Sequence, residues 1–182
     1  MIMTTDELRR YVITEEEDSA LEAKLSALEL LIRAYTNNNF QQRATRRLVD
    51  IEYGEIVLQY PHSFKVGDTV QVTQSDLNSG LYTITAVDGG RLTVKEATHE
   101  EEDVYITLIS YPMDVKMGVV NLMKWELTNR EKVGVASESI SRHSVTYFDM
   151  TGDNSTMGYP KALLGFLKPY MKARFGQGVR PC

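Results

Sequence analysis

The segment Tyr82-Thr-Ile-Thr-Ala-Val87-Asp88-Gly89-Gly90-Arg91-Leu92-Thr-Val-Lys95 decides the fold. Two runs rich in β-branched and aromatic residues flank Asp-Gly-Gly, and glycine takes the positive φ that a tight turn demands. Residues 82–87 and 92–95 are therefore predicted to pair as an antiparallel hairpin. Outward from it, the apolar period stays near two from Arg46 to about Tyr111. Val49, Ile51 and Tyr53, then Ile56 and Leu58, then Val70 and Val72, alternate with polar neighbours. Phe64-Lys-Val-Gly67-Asp68 and Leu77-Asn-Ser-Gly80 supply further turns, and Val104 to Ile109 supplies a last strand after acidic Glu100 to Asp103. Roughly five or six short strands in about 65 residues predict a small barrel or curled sheet.

On either side of this stretch the period is helical. Leu21, Leu25, Leu28, Ile32 and Tyr35 recur at spacings of three and four, with Ala20, Ala27 and Leu31 widening the stripe. Acidic Glu15 to Asp18 suit a helix start, and Thr36-Asn-Asn-Asn39 suits its end, so a helix is predicted from about Asp18 to Tyr35. Thr4 and Glu7 form a capping-box pattern for a shorter helix ahead of Leu8 and Tyr11-Val12. Pro112 marks the return to helix through Val115, Val119, Leu122, Met123 and Trp125 to about Thr128, with Met and Trp as core fillers.

Residues 134–157 are rich in Ser and Thr and lack core periodicity, which predicts an extended arm or hairpin. Strand character lies at Ser144 to Phe148 and a turn at Thr151 to Asn154. A final helix is expected from Tyr159-Pro160 through Leu163, Leu164, Phe166, Leu167, Tyr170, Met171 and Phe175, kinked or shortened by Pro169. The fold class is thus α+β. A small helical bundle (1–45 and 111–182) carries an inserted small antiparallel β-barrel-like unit (46–110) and an extended arm.

The chain's 182 residues are 42% hydrophobic and 25% charged, a globular composition large enough for a self-sufficient core. No apolar run approaches the roughly 18–20 residues of a spanning helix, and Met1 to Tyr11 has neither the basic start nor the apolar core of a signal peptide. A soluble protein made in a cytoplasm, with no membrane partner, is expected. The single Cys182 can neither pair within the chain nor build a cysteine-based metal site. The net charge of −5 divides into −4 over residues 1–35, −5 over 36–111 and +4 over 112–182. From Lys161 onward Lys161, Lys168, Lys172, Arg174 and Arg180 face no acid. Such a cationic tail suits a polyanion or an acidic neighbour, or complements a helix C-terminus.

Motifs of catalysis are missing. His62, His99 and His143 are isolated and read as structural or surface residues. Phosphate-loop, dinucleotide and nucleophile-elbow patterns do not occur. Glu52 and Glu55 flank a strand turn and read as a solvated edge rather than an acid/base pair. Glu100 to Asp103 lacks the spaced oxygen ligands and glycine of a calcium loop and reads as a solvated loop. Lys65-Val-Gly67-Asp68-Thr-Val is similar to turns of small SH3-like barrels, some of which bind nucleic acid, but the acidic balance of the segment opposes that use. Tyr82, Tyr105 and Tyr111 suit either a stacking platform or half-buried sheet positions. No catalytic residue, cofactor site or metal site is expected, and an enzyme with dispersed groups has no positive support.

A first amphipathic helix ending in Ala34-Tyr-Thr-Asn-Asn-Asn-Phe40, a later Glu138-Ser-Ile-Ser-Arg-His-Ser-Val-Thr-Tyr147 and a last helix near the C-terminus occur in that order. This arrangement resembles the head–tail connector, or head-completion adaptor, family of tailed bacteriophages. The resemblance covers residues 5–45 and 110–175; the β insertion departs from it, since many members have only a short connection there. It implies a non-enzymatic structural virion protein forming a homo-oligomeric ring, typically of twelve copies, at the head–tail interface. The ring would dock beneath the portal protein, meet the next head–tail joining or tail-completion protein, and surround passing double-stranded DNA without sequence specificity. The resemblance assigns Ser139, Ile140, Arg142, His143, Val145 and Tyr147 to contacts between subunits. It assigns Lys168, Tyr170, Lys172, Arg174, Phe175 and Arg180 to portal docking. An acidic body meeting a basic end favours head-to-tail packing, and an acidic lumen would keep DNA from sticking. The alternative is a monomeric binding module whose SH3-like insertion takes nucleic acid or a small partner, with salt-dependent affinity in the first case.

Overall fold

In a computed structural model, which describes residues 1–59, 61–130, 137–140, 143–146 and 154–173, the Asp88-Gly-Gly segment turns as its composition dictates. Gly89 takes φ +55° and joins β4 (Gly80–Asp88) to β5 (Arg91–Val94), with Asp88 opposite Arg91. Gly90 is needed for a second reason. A Cβ there would lie 2.6 Å from the Leu58 carbonyl oxygen, where the Leu58 N–H donates to the Gly90 carbonyl at 2.7 Å.

Four more strands, β1 (Arg47–Glu52), β2 (Glu55–Val57), β3 (Thr69–Thr73) and β6 (Glu101–Ile109), complete a closed antiparallel barrel in the order β1-β2-β5-β4-β3-β6. The class is α+β. Closure comes from β1 lying against β6, Arg47 opposite Ile106, which removes the free edges that an open sheet would expose. Alternation sends Val49, Ile51, Ile56, Val70, Val72, Ile84, Leu92, Val94, Val104 and Ile106 inward, and all ten are buried. Two bulges bend the wall: β4 gains a residue between Ile84 and Ala86, and β6 gains one near Asp103, whose φ is +57°.

The expected loop at Glu100 to Asp103 is corrected by this register, since Glu101 to Asp103 open β6. The cause is side-chain bonding that composition hides. Glu101 accepts from Ser75 Oγ at 2.5 Å, from the Asp76 N–H at 2.7 Å and from Asn78 Nδ2 at 2.7 Å, and Asn78 in turn exchanges two bonds with the His99 backbone. Nor do the three tyrosines share a platform. Tyr82 and Tyr111 are buried, the latter with its ring 4.8 Å from Phe40, while half-buried Tyr105 lies 4.1 Å beneath the Arg46 guanidinium.

The barrel unit comprises Met1 and Asn39–Tyr111, and a second unit comprises Ile2–Asn38 with the chain from Pro112 onward. In the second, α1 (Thr5–Arg9) has the capping box in full, the Thr4 hydroxyl accepting from the Glu7 N–H and the Glu7 carboxylate from the Thr4 N–H. Helix α2 (Asp18–Thr36) ends at Asn37 in the left-handed region, φ +50°, with the Asn38 N–H reaching back to the Arg33 carbonyl at 3.2 Å. Leu21, Leu25, Leu28 and Ile32 are buried as the spacing predicts, but Ala20 and Ala27 are exposed. The buried face widens instead towards Glu29, Arg33 and Thr36.

Helix α3 (Met113–Asn129) buries Val115, Val119, Leu122 and Met123, and leaves Trp125 half-buried rather than in the core. The expected last helix is a 3-10 helix, Lys161–Tyr170. Its buried Leu164 and Leu167 are three apart, the period of that helix, and Pro169 lacks the N–H that an α-helix would use.

Gly118 of α3 receives the Phe166 ring, so closely that a Cβ would sit 2.4–2.5 Å from three ring carbons. Gly118→Ala is expected to lower stability by about 1–3 kcal/mol through overpacking. The double variant with Phe166→Leu should cost less than the two single changes summed, measured by chemical denaturation.

Candidate assembly interface

The Ser/Thr-rich stretch contains two short strands, β7 (Ser137–Ile140) and β8 (His143–Thr146), paired antiparallel with Ser139 opposite Ser144 and Ile140 opposite His143. Of the residues expected at subunit contacts, Ser139, Ile140, His143 and Val145 lie on this hairpin, and Arg142 and Tyr147 lie outside the described residues. Neither strand pairs with any other among the described residues, so among these both outer backbone edges are open. An isolated two-stranded hairpin is marginal in water, and its open N–H and C=O groups are a template for another chain.

The roots of this arm are fixed by residues that periodicity alone does not single out. Arg130, just beyond α3, sets its guanidinium against Glu126 one turn back, Nε to Oε1 at 2.9 Å and Nη2 to Oε2 at 2.6 Å. Its Nη1 donates to the Gly158 carbonyl at 2.9 Å, across the whole length of the arm. The same guanidinium lies 5.0 Å from the Trp125 ring and 4.8 Å from the Tyr159 ring, and the Tyr159 hydroxyl donates to Glu126 Oε2 at 2.8 Å. The returning chain reaches this clamp through β9 (Ser155–Thr156) and β10 (Tyr159–Pro160), joined by Met157 and Gly158 at φ +56° and +77°. Two successive positive φ values are the hairpin-turn signature. Only the Gly of that turn is visible as a signal in the sequence.

Burial alone would push the Glu126 carboxyl up, but hydrogen bonds from Arg130 and Tyr159 outweigh it and hold its pKa below the ordinary value. Burial, then the bond to Glu126, pushes the Tyr159 hydroxyl from 10.0 up to about 12. The clamp is therefore fully charged on Glu126 and Arg130 and neutral on Tyr159 at physiological pH.

Among residues expected to dock on the portal, Lys168 and Tyr170 lie in the 3-10 helix and Lys172 follows it; Arg174, Phe175 and Arg180 lie outside the described residues. The segment is sewn to the helices. Tyr170 gives its hydroxyl to Asp114 at 2.8 Å, which raises its pKa, and its carbonyl accepts from Asn38 Nδ2 at 3.1 Å. Asn37 Nδ2 holds the Ala173 carbonyl at 2.9 Å and the Lys172 N–H donates to the Thr36 carbonyl at 2.8 Å. Lys161, Lys168 and Lys172 remain exposed.

Among the described residues, no three His, Cys, Asp or Glu are grouped to hold a metal ion and no helix is long and apolar enough to cross a membrane. His62 Nε2 donates to the Gly89 carbonyl at 2.8 Å on the barrel wall. Glu52 and Glu55 flank Arg91, at 3.7 and 3.3 Å. No protein-family model matches the chain, and no curated protein matches it at a significant level.

Two pH dependences follow. Glu101 is held below its ordinary 4.5 chiefly by the Ser75 hydroxyl, so its contribution is present above pH 4.5 and is lost as pH falls through its lowered value. Glu101→Gln should flatten the acid limb of a stability–pH profile. Tyr159, raised to about 12, contributes below pH 10 and loses that contribution as pH rises through about 12. Tyr159→Phe should cost about 1–2 kcal/mol at neutral pH, a hydrogen bond to a charged group, and remove that alkaline limb.

Proposed function

We propose that this chain is a head–tail connector subunit, a structural virion protein whose copies form a ring beneath the portal of a tailed bacteriophage. The observation that carries the reading is the hairpin β7–β8, whose strands pair with no other among the described residues, in the stretch that the Arg130–Gly158 hydrogen bond spans. Ordering a polar arm costs roughly 1–2 kcal/mol of backbone entropy per residue. A neighbouring subunit that accepts the hairpin as an added strand would supply main-chain hydrogen bonds against that cost. Heterologous contacts of this kind close into rings.

In this reading Arg130, Glu126 and Tyr159 aim the arm without touching the neighbour. The docked lysines Lys161, Lys168 and Lys172 offer positive charge to the portal from a segment already fixed on α2 and α3. The chain acts by binding and carries no reaction. Its partners are copies of itself, the portal, the next joining protein and the DNA that passes through.

The reading is tested by the mass of the purified protein in solution, alone and mixed with a candidate portal ring. A closed ring in either condition is expected. In the hairpin register the two-residue connection makes Ile140 and His143 the hydrogen-bonded pair, so the N–H groups of Ser139 and Ser144 face the open edges. Ser139→Pro or Ser144→Pro should then block assembly, while Ser139→Ala and Ser144→Ala should not. A chain that stays monomeric, ignores the portal and binds DNA with a steep salt dependence would overturn the reading in favour of a barrel that recognises nucleic acid.

A further inference from the structure

The outer wall of the barrel is graded in charge along β1. Residues 46, 48, 50 and 52 fall on one face, and they are Arg46, Leu48, Asp50 and Glu52; the inward residues between them, Val49 and Ile51, are buried. At the Arg46 end the 3-10 turn Arg43–Thr45 adds Arg43, and Arg47 opens the strand. Arg43 and Arg46 are exposed, and the hydrogen bonds made by Arg46 and Arg47 go to neutral groups: Gln74 Oε1 and the carbonyls of Ala44 and Arg46. At the other end the β1–β2 turn and the start of β6 line one cleft with Glu52, Tyr53, Glu100, Glu101 and Glu102. Arg91 offsets part of this charge, reaching Glu52 and Glu55, and Glu101 is engaged with Ser75 and Asn78, but Glu100 and Glu102 project into solvent. The two ends are about 20 Å apart along the strand, at roughly 3.3 Å per residue.

Two apolar features accompany the charges. Leu48 is 48% exposed beside Tyr105, which Arg46 covers. Tyr53 is 85% exposed and holds φ +52°, a left-handed turn position where Asn or Gly is favoured. A large aromatic kept in that backbone state and displayed to water is the kind of local cost that functional surfaces carry.

We infer that the barrel is a second assembly surface: the Arg43/Arg46/Arg47 end of one copy docks on the Glu52/Tyr53/Glu100/Glu102 end of the next. The occupant is a second copy of this chain because both halves of a complementary pair are present, at opposite ends of one wall, in a unit whose overall charge is otherwise acidic. Tyr53 offers an arginine of the neighbour an aromatic face within a ring of carboxylates, combining cation–π and ionic attraction. The contact is heterologous, as a cyclic ring requires, so this inference rests on the ring reading and gives the β insertion a role in it.

The test uses the full chain in two charge-reversed forms. Arg43→Glu with Arg46→Glu makes both ends acidic; Glu52→Lys, Glu100→Lys and Glu102→Lys together make both ends basic and leave the Glu101 network alone. Each form should fold, by circular dichroism and thermal melting. Each alone should assemble at least ~10-fold more weakly than wild type at low salt, alone or on the portal ring, and an equimolar mixture should recover assembly. Variants that assemble as wild type does, or a mixture no better than its parts, would overturn the barrel contact while leaving the ring reading standing. A wild-type chain that never assembles, with or without the portal, would overturn both.

Discussion

The barrel depends on the pairing of β1 with β6, because that pairing both closes the wall and brings residues 108–111 back beside residues 40–42. The junction is sewn tightly. The Ser110 N–H donates to the Phe40 carbonyl at 3.0 Å, the Gln42 N–H to the Leu108 carbonyl at 2.8 Å, Gln41 bridges Ile109, and the rings of Phe40 and Tyr111 meet. An insertion whose ends coincide perturbs its host little, since closure entropy rises by only about 0.6 kcal/mol for each doubling of loop length. Six strands with a filled interior then stabilise the insertion from within.

The arm solves the same problem by different means. The described residues that flank it are joined by one arginine, whose planar fork engages Glu126 on one side and the Gly158 carbonyl on another while its faces lie near two aromatic rings. A lysine at this position could not satisfy these partners together. The consequence is a difference in character between the two excursions from the helical unit. The barrel is held chiefly by backbone hydrogen bonds and apolar burial, with the Glu101 carboxylate its one acid-sensitive tie described above. The tie between Arg130 and Gly158 depends on a charged cluster, and so on the desolvation that Glu126 and Arg130 share.

Sequence periodicity made the strands, the three α-helices and the α1 cap legible because each rests on local signals: alternation, a glycine turn, a capping pair. Besides the misplaced flank of α2 at Ala20 and Ala27, three features escaped it for identifiable reasons. The start of β6 looked like a loop because four acids in a row suggest solvent, whereas Glu101 satisfies donors from residues 75, 76 and 78, more than twenty positions away. The last helix looked α-helical because its apolar residues fit spacings of three and four alike, and only Pro169 hinted at the tighter form. Trp125 looked like core because tryptophan usually is; its place beside a guanidinium is set by Arg130 and Tyr159, which no window around α3 contains together. The clamp shares that origin. Its members are ordinary one by one and become a device only when the chain's return through Gly158 is known.

What the barrel displays follows from its packing in the same way. The charge imbalance read in thirds of the sequence resolves, within the barrel, into a gradient along a single strand face, and alternation is what makes it one face: residues 46, 48, 50 and 52 are forced outward together because 49 and 51 are forced inward. A one-residue slip of β1 would bury Leu48 and expose Val49, so register and charge gradient are fixed by the same apolar pair. The packing that holds the barrel shut thus also determines what the barrel displays. An acidic turn tipped by Tyr53 and a basic start at Arg46 are consequences of one folding decision, which is why both halves of a complementary pair occur on one wall.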